Sequence, residues 1–138
     1  MSYALSDVAA TSAKDVWAVG SAPEGSYKAL ILHWNGRRWT CARILQIHHP
    51  KFPELYLAAV SASSADNAWA VGSYFDSAHR ALALHWNGHT WKQVMTPQPG
   101  PVNSLENVAF IRQSGAVWAV DAQDGNDLLL RWNGTAWH

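Results

Sequence analysis

Val16-Trp17-Ala18-Val19-Gly20, followed by Leu32-His33-Trp34-Asn35-Gly36 and a closing Trp39, is the stretch from which the fold of this 138-residue chain can be read. The same arrangement returns as Ala68-Trp69-Ala70-Val71-Gly72, Leu84-His85-Trp86-Asn87-Gly88 and Trp91. It returns once more as Val117-Trp118-Ala119-Val120-Asp121, Leu130-Arg131-Trp132-Asn133-Gly134 and Trp137. A Leu-x-x-Val stretch precedes each copy, beginning at Leu5, Leu57 and Leu105. All 9 Trp occupy three equivalent positions of the unit: Trp17, Trp69 and Trp118; Trp34, Trp86 and Trp132; Trp39, Trp91 and Trp137. Self-similarity at a spacing of about 50 residues marks a repeat architecture and outweighs any reading of one short window.

Each copy has room for four short strands. The first, from Leu5 to Thr11 in copy one, is rich in small residues; the second carries Trp-Ala-Val-Gly. The third is the apolar run that ends at Trp34 or Trp86, and the fourth leaves from Trp39 or Trp91. Asn-Gly between third and fourth strands reads as a type I′ turn, with positive φ at both central residues. Ser12-Ala13-Lys14-Asp15 and Ser64-Ala65-Asp66-Asn67 supply turn chemistry between the first two strands. No segment sustains a 3.6-residue period, so the chain reads as all-β.

The third strand, Leu30-Ile31-Leu32, is apolar without alternation, the pattern of a strand buried on both faces. Stacking four-stranded sheets around an axis supplies a neighbour on each side, and the small first strands suit the crowded centre. An immunoglobulin-like sandwich gives no reason for a 50-residue register of Trp. The expectation is therefore a β-propeller: a single repeat domain over 1–138, with blades at about 4–44, 56–95 and 104–138. The third blade stops at Trp137-His138, where its outer strand should begin, so it is expected to lack that strand.

Trp-Ala-Val-Gly followed by His-Trp-Asn-Gly-x-x-Trp resembles the tryptophan-rich β-propeller repeats of bacterial proteins, across essentially the whole chain. The hairpin resembles Asp-box and kelch-type blades more distantly. Of the Asp-box pattern Ser-x-Asp-x-Gly-x-Thr-Trp, only the spacing of Gly and final Trp is kept, with Thr90 in one copy. In those families the hairpin is a folding element, so the resemblance to sialidases implies no catalytic residue.

Three blades do not close a ring, since propellers use about four to eight. Two copies arranged head to tail would make six, so a homodimer is expected; a fragment of a longer array is the alternative. Ten basic and ten acidic residues give zero formal charge, and the longest basic run is Arg37-Arg38, too little for a nucleic-acid surface. No transmembrane span or signal peptide is visible, which reads as a cytoplasmic chain or an exported one whose leader was removed. Cys41 reads as a buried strand residue without a disulfide partner.

For function, variable loops on a rigid scaffold are the natural place for a ligand. Residues 22–28, 45–56, 74–80, 95–104 and 122–127 should share one face of the disc. The candidate ligand-binding residues there are Tyr27, His48, His49, Tyr74, Asp76, His79, Arg80 and Asp124. His33 and His85 stand at equivalent positions and read as hydrogen-bonded partners of Asp15 and Asn67 within each blade. No catalytic residue, metal site or cofactor is expected: metal-ligand spacing and nucleophile motifs are missing, and no carboxylate pair suits glycosidase chemistry. The leading expectation is a non-enzymatic binding module for carbohydrate or protein. A purely structural self-assembling unit is the alternative, and a glycoside hydrolase or lyase the remote one.

Overall fold

A computed structural model of the chain describes residues 4–21, 29–42, 54–121 and 127–138. The described residues form three antiparallel sheets. Sheet 1 runs β1 (Ala4–Ser12), β2 (Asp15–Ser21), β3 (Ala29–Trp34) and β4 (Trp39–Cys41), in that spatial order. Sheet 2 repeats it with β5 (Glu54–Ser64), β6 (Asn67–Phe75), β7 (His79–Trp86) and β8 (Trp91–Val94). Sheet 3 has β9 (Asn107–Ile111), β10 (Ala116–Asp121) and β11 (Leu128–Trp132).

The truncated third sheet is as expected, with one addition. Trp137 bridges Trp132, and Arg131 and His138 exchange two backbone hydrogen bonds of 2.8 and 3.1 Å. A fourth strand therefore starts at Trp137 in the register that Trp39 and Trp91 hold in the other sheets.

The hairpins differ from the expected type I′ turn. Trp34 pairs with Trp39, leaving four residues in the loop, and only Gly36 has positive φ (93°). Asn35 works through its side chain: Oδ1 accepts the N–H groups of Arg37 (3.0 Å) and Arg38 (3.1 Å). Asn87 and Asn133 repeat the arrangement, with Gly88 at 94° and Gly134 at 101°. The amide oxygen closes the loop as an Asx turn, so the backbone of Asn need not enter the left-handed region.

Two cores lie between the sheets. Trp17, Val19 and Ile31 of sheet 1 are buried with Leu57, Val60, Leu84 and Trp91 of sheet 2. Trp69, Val71 and Ala83 of sheet 2 are buried with Leu105, Val108, Leu130 and Trp137 of sheet 3. Burial of each large side chain contributes about 1.5–3 kcal/mol, so these cores are what hold the sheets face to face. The first strands pack side by side, β1 on β5 and β5 on β9, and Asp7 Oδ2 accepts the Val60 N–H across the first junction at 3.0 Å. Small residues in these strands permit that convergence. Cys41, read as buried, lies exposed on β4, because the trailing side of sheet 1 has no sheet against it among the described residues.

Candidate functional site

Both four-stranded sheets carry a β-bulge in the N-terminal half of the first strand. Leu5 pairs with Gly20 and Asp7 with Val19, so Ser6 is the extra residue. Leu57 pairs with Gly72 and Ala59 with Val71, so Ala58 is extra. The bulge requires glycine opposite. A Cβ on Gly72 would sit 1.8 Å from the Tyr56 carbonyl oxygen, and one on Gly20 2.0 Å from that of Ala4. A bulge re-aims its side chain out of the alternating pleat.

In sheet 3 the equivalent of Ser6 and Ala58 is Glu106, whose N–H bonds to Val120 O at 2.8 Å. Asp121 stands where the other sheets have glycine, and its Oδ2 accepts the Ser104 hydroxyl at 2.7 Å. Leu105 N–H reaches Gly72 O at 3.0 Å, tying sheet 3 to sheet 2 at this point. The two bulged residues and Glu106, their equivalent in sheet 3, therefore meet at one end of the converging first strands. They border an open cleft of ≈ 280 Å³ with Ser21, Tyr56, Ser73 and Ser104. The lining is rich in hydroxyls, and Glu106 is its one carboxylate.

None of these cleft residues was among the sequence candidates. The bulge is the reason: Ser6 and Ala58 read as ordinary alternating strand residues until their pairing shows the slip. The Gly20 and Gly72 repeat was the available signal, since glycine inside a strand marks a bulge or a close backbone approach.

The sequence candidates distribute differently. Tyr27, His48, His49 and Asp124 lie outside the described residues. Tyr74 is only 6% exposed and belongs to the core between sheets 1 and 2, so its ring packs rather than faces solvent. Asp76 lies in the β6–β7 turn, where Oδ1 accepts the Ala78 N–H (3.3 Å) and Arg80 Nε–H (3.4 Å). His79 packs its ring on Phe75, centroids 5.1 Å apart, and its carbonyl accepts the Asn103 N–H at 3.1 Å. This turn is at the same end of sheet 2 as the cleft, but its residues do not line the cleft.

His33 and His85 are held within their own sheets. His33 Nε2 lies 2.7 Å from Asp15 Oδ1, and Asp15 Oδ2 accepts the Thr11 hydroxyl. His85 Nε2 lies 2.7 Å from Asn67 Oδ1, and Asn67 Nδ2 donates to Ser63 Oγ at 3.0 Å. Each imidazole lies against the Trp opposite it, Trp17 at 4.2 Å and Trp69 at 4.5 Å. Burial lowers the His85 pKa from its ordinary value. In sheet 3 Ala116 and Arg131 replace the polar pair, and the Arg131 guanidinium lies 5.7 Å from the Trp118 ring centroid. Among the described residues, no three His, Cys, Asp or Glu side chains gather as a metal ion requires.

No family model matches this chain, and no curated protein matches it either. Among solved structures, the chain is similar to YCF48 bound to D1 peptide, with a TM-score of 0.52 at 19% identity. The match covers 99% of this chain and 40% of that one, so the chain spans about two fifths of the length of the protein it resembles. At that identity the likeness shows the fold: these sheets are blades of a β-propeller.

Proposed function

We propose that this chain is a non-enzymatic propeller module that binds a segment of another protein at the cleft where its three first strands begin. The observation that carries the reading is the meeting of Ser6, Ala58 and Glu106, three equivalent positions on three different sheets, at one cleft. Hydroxyls of Ser6, Ser21 and Ser73 offer both donors and acceptors to a peptide backbone, and the Glu106 carboxylate brings a negative charge that suits a Lys, Arg or amino-terminal group. The similar propeller, YCF48, is bound to a peptide, which supports the choice of ligand class. A single carboxylate does not provide the pair that glycoside hydrolysis uses.

A carbohydrate is the second reading, favoured by Tyr56, whose exposed ring borders hydroxyl-rich walls as a sugar-stacking surface would. Screening the chain on peptide and glycan arrays separates the two. Binding should weaken at least about tenfold in Glu106→Gln and in Ala58→Leu, which narrows the cleft; a lost charged hydrogen bond is worth that much. Silence on both arrays, or hits indifferent to both substitutions, would sink the reading.

A further inference from the structure

Both internal junctions between sheets are built the same way. Trp17, on the leading side of sheet 1, meets Trp86 at 5.0 Å and Trp91 at 5.1 Å, with interplanar angles of 58° and 88°. Trp69 of sheet 2 meets Trp132 at 4.9 Å and Trp137 at 5.0 Å, at 57° and 81°. In each case one indole from a second strand enters a pair of indoles flanking the Asn-Gly hairpin of the next sheet. The edge-to-face component is the favoured aromatic geometry.

At the two ends of the triplet the same positions are open. Leu129, on the leading side of sheet 3, is 59% exposed, whereas its counterparts Ile31 and Ala83 are each at 0%. Val120 is also exposed, whereas Val19 and Val71 are buried. On the trailing side of sheet 1, Val8 is 60% exposed against 4% for Val60, and Trp39 is 47% exposed against 0% for Trp91. The receiving pair is nevertheless already formed. Trp34 and Trp39 stand 5.8 Å apart at 47°, as Trp86 and Trp91 do at 5.9 Å and 39°.

We propose that Trp118 of one copy of this chain inserts between Trp34 and Trp39 of a second copy, and reciprocally, closing a ring of six sheets. The chain is complementary to itself: its open leading side and open trailing side are the two halves of a junction it already makes twice. A head-to-tail interface either closes or runs on as a filament, and two copies close within the blade numbers that propellers use.

The new junction differs from the internal ones in charge. His33 shares a small cleft with His89 and Thr90 of the next hairpin. Arg131 takes the place of His33 in sheet 3, and Arg37 and Arg38 take the places of His89 and Thr90 in sheet 1. Closure thus brings three cations to one rim. Association should strengthen with added salt, which screens them, and Arg131→His should tighten it about two- to fivefold.

Solution mass by light scattering tests the ring. The chain should weigh twice its 15.2 kDa, with near-UV circular dichroism reporting that the buried indole clusters are intact. Leu129→Glu disables the leading side and Val8→Glu the trailing side; each alone should give a folded monomer. An equimolar mixture of the two should recover a dimer, because one of its two junctions is intact. Val120→Glu and Leu5→Glu form a second such pair should either first variant lose its dichroism. A folded monomeric parent chain would overturn the proposal and assign the open sides to further repeats of a longer polypeptide. Trimers or filaments, single variants that still dimerise, or a mixture that stays monomeric would overturn it equally.

Discussion

His85 Nε2 lies 2.7 Å from Oδ1 of Asn67, a neutral amide in the place where Asp15 presents a carboxylate to His33. Two sheets of one chain therefore hold the same imidazole with partners of different charge. Burial without a compensating negative group disfavours the imidazolium, and the His85 pKa is lowered accordingly.

Stability should therefore depend on pH through His85. Its folded pKa lies below the unfolded value of 6.5, so the unfolded chain takes up the proton first as pH falls. The contribution is present above pH 6.5 and is lost as pH drops toward the folded pKa. Urea unfolding at pH 7.5 and pH 5 should show the loss, and Asn67→Asp should reduce it by stabilising the charged ring. Following the His85 ring protons by NMR should place its titration higher in that variant; an unchanged titration would contradict the assignment of cause.

Gly72→Ala should be among the most damaging small substitutions. The added Cβ would overlap the Tyr56 carbonyl oxygen at 1.8 Å, a backbone atom with no rotamer to yield. Either the bulge opens or the β5–β6 pairing breaks, so the cost should exceed about 3 kcal/mol, the scale of severe core disruption. Denaturant melts measure this directly. A loss under about 1 kcal/mol would mean that the close approach is absent in solution.

Two hairpin glycines separate strain from crowding. Gly88 and Gly134 share nearly the same φ, 94° and 101°. A Cβ on Gly88 would lie 2.9 Å from Asp66 Oδ1, whereas nothing lies within 4 Å of one on Gly134. Gly134→Ala should cost about 1 kcal/mol from backbone strain alone. Gly88→Ala should cost more, and Asp66→Ala should remove the excess, which a double-mutant cycle would read.

Tryptophans at repeated positions should not be equivalent. Trp69→Ala truncates a side chain at 1% exposure that packs on His85, Trp132 and Trp137, and should cost about 3–5 kcal/mol. Trp39→Ala, at an exposed position of the monomer, should cost under about 1 kcal/mol in unfolding of the separated chain. Comparable losses in dilute monomer would contradict the burial pattern.

The repeat, the strands and the hairpin sites were legible because each is encoded locally. Asn35, Asn87 and Asn133 close their loops with hydrogen bonds two and three residues away, and the Ser12 and Ser64 hydroxyls accept N–H groups two residues on. The pairing of His33 with Asp15 was legible too, since copy three loses both members together. The turn type was not, because Asn-Gly alone does not tell whether the asparagine contributes its backbone or its side chain.

By itself, the order of residues determined that three Trp-bearing antiparallel sheets form and that their broad apolar sides face neighbours. Tertiary structure decided the rest: that Ser6 and Ala58 are bulged toward Glu106, that Tyr74 is core, and that Trp91 is covered while Trp39 is open. Strand and turn preferences act over a few residues. Bulge direction and burial depend instead on which strand and which sheet stand opposite, and a repeated motif carries the same letters whether or not a neighbour is there.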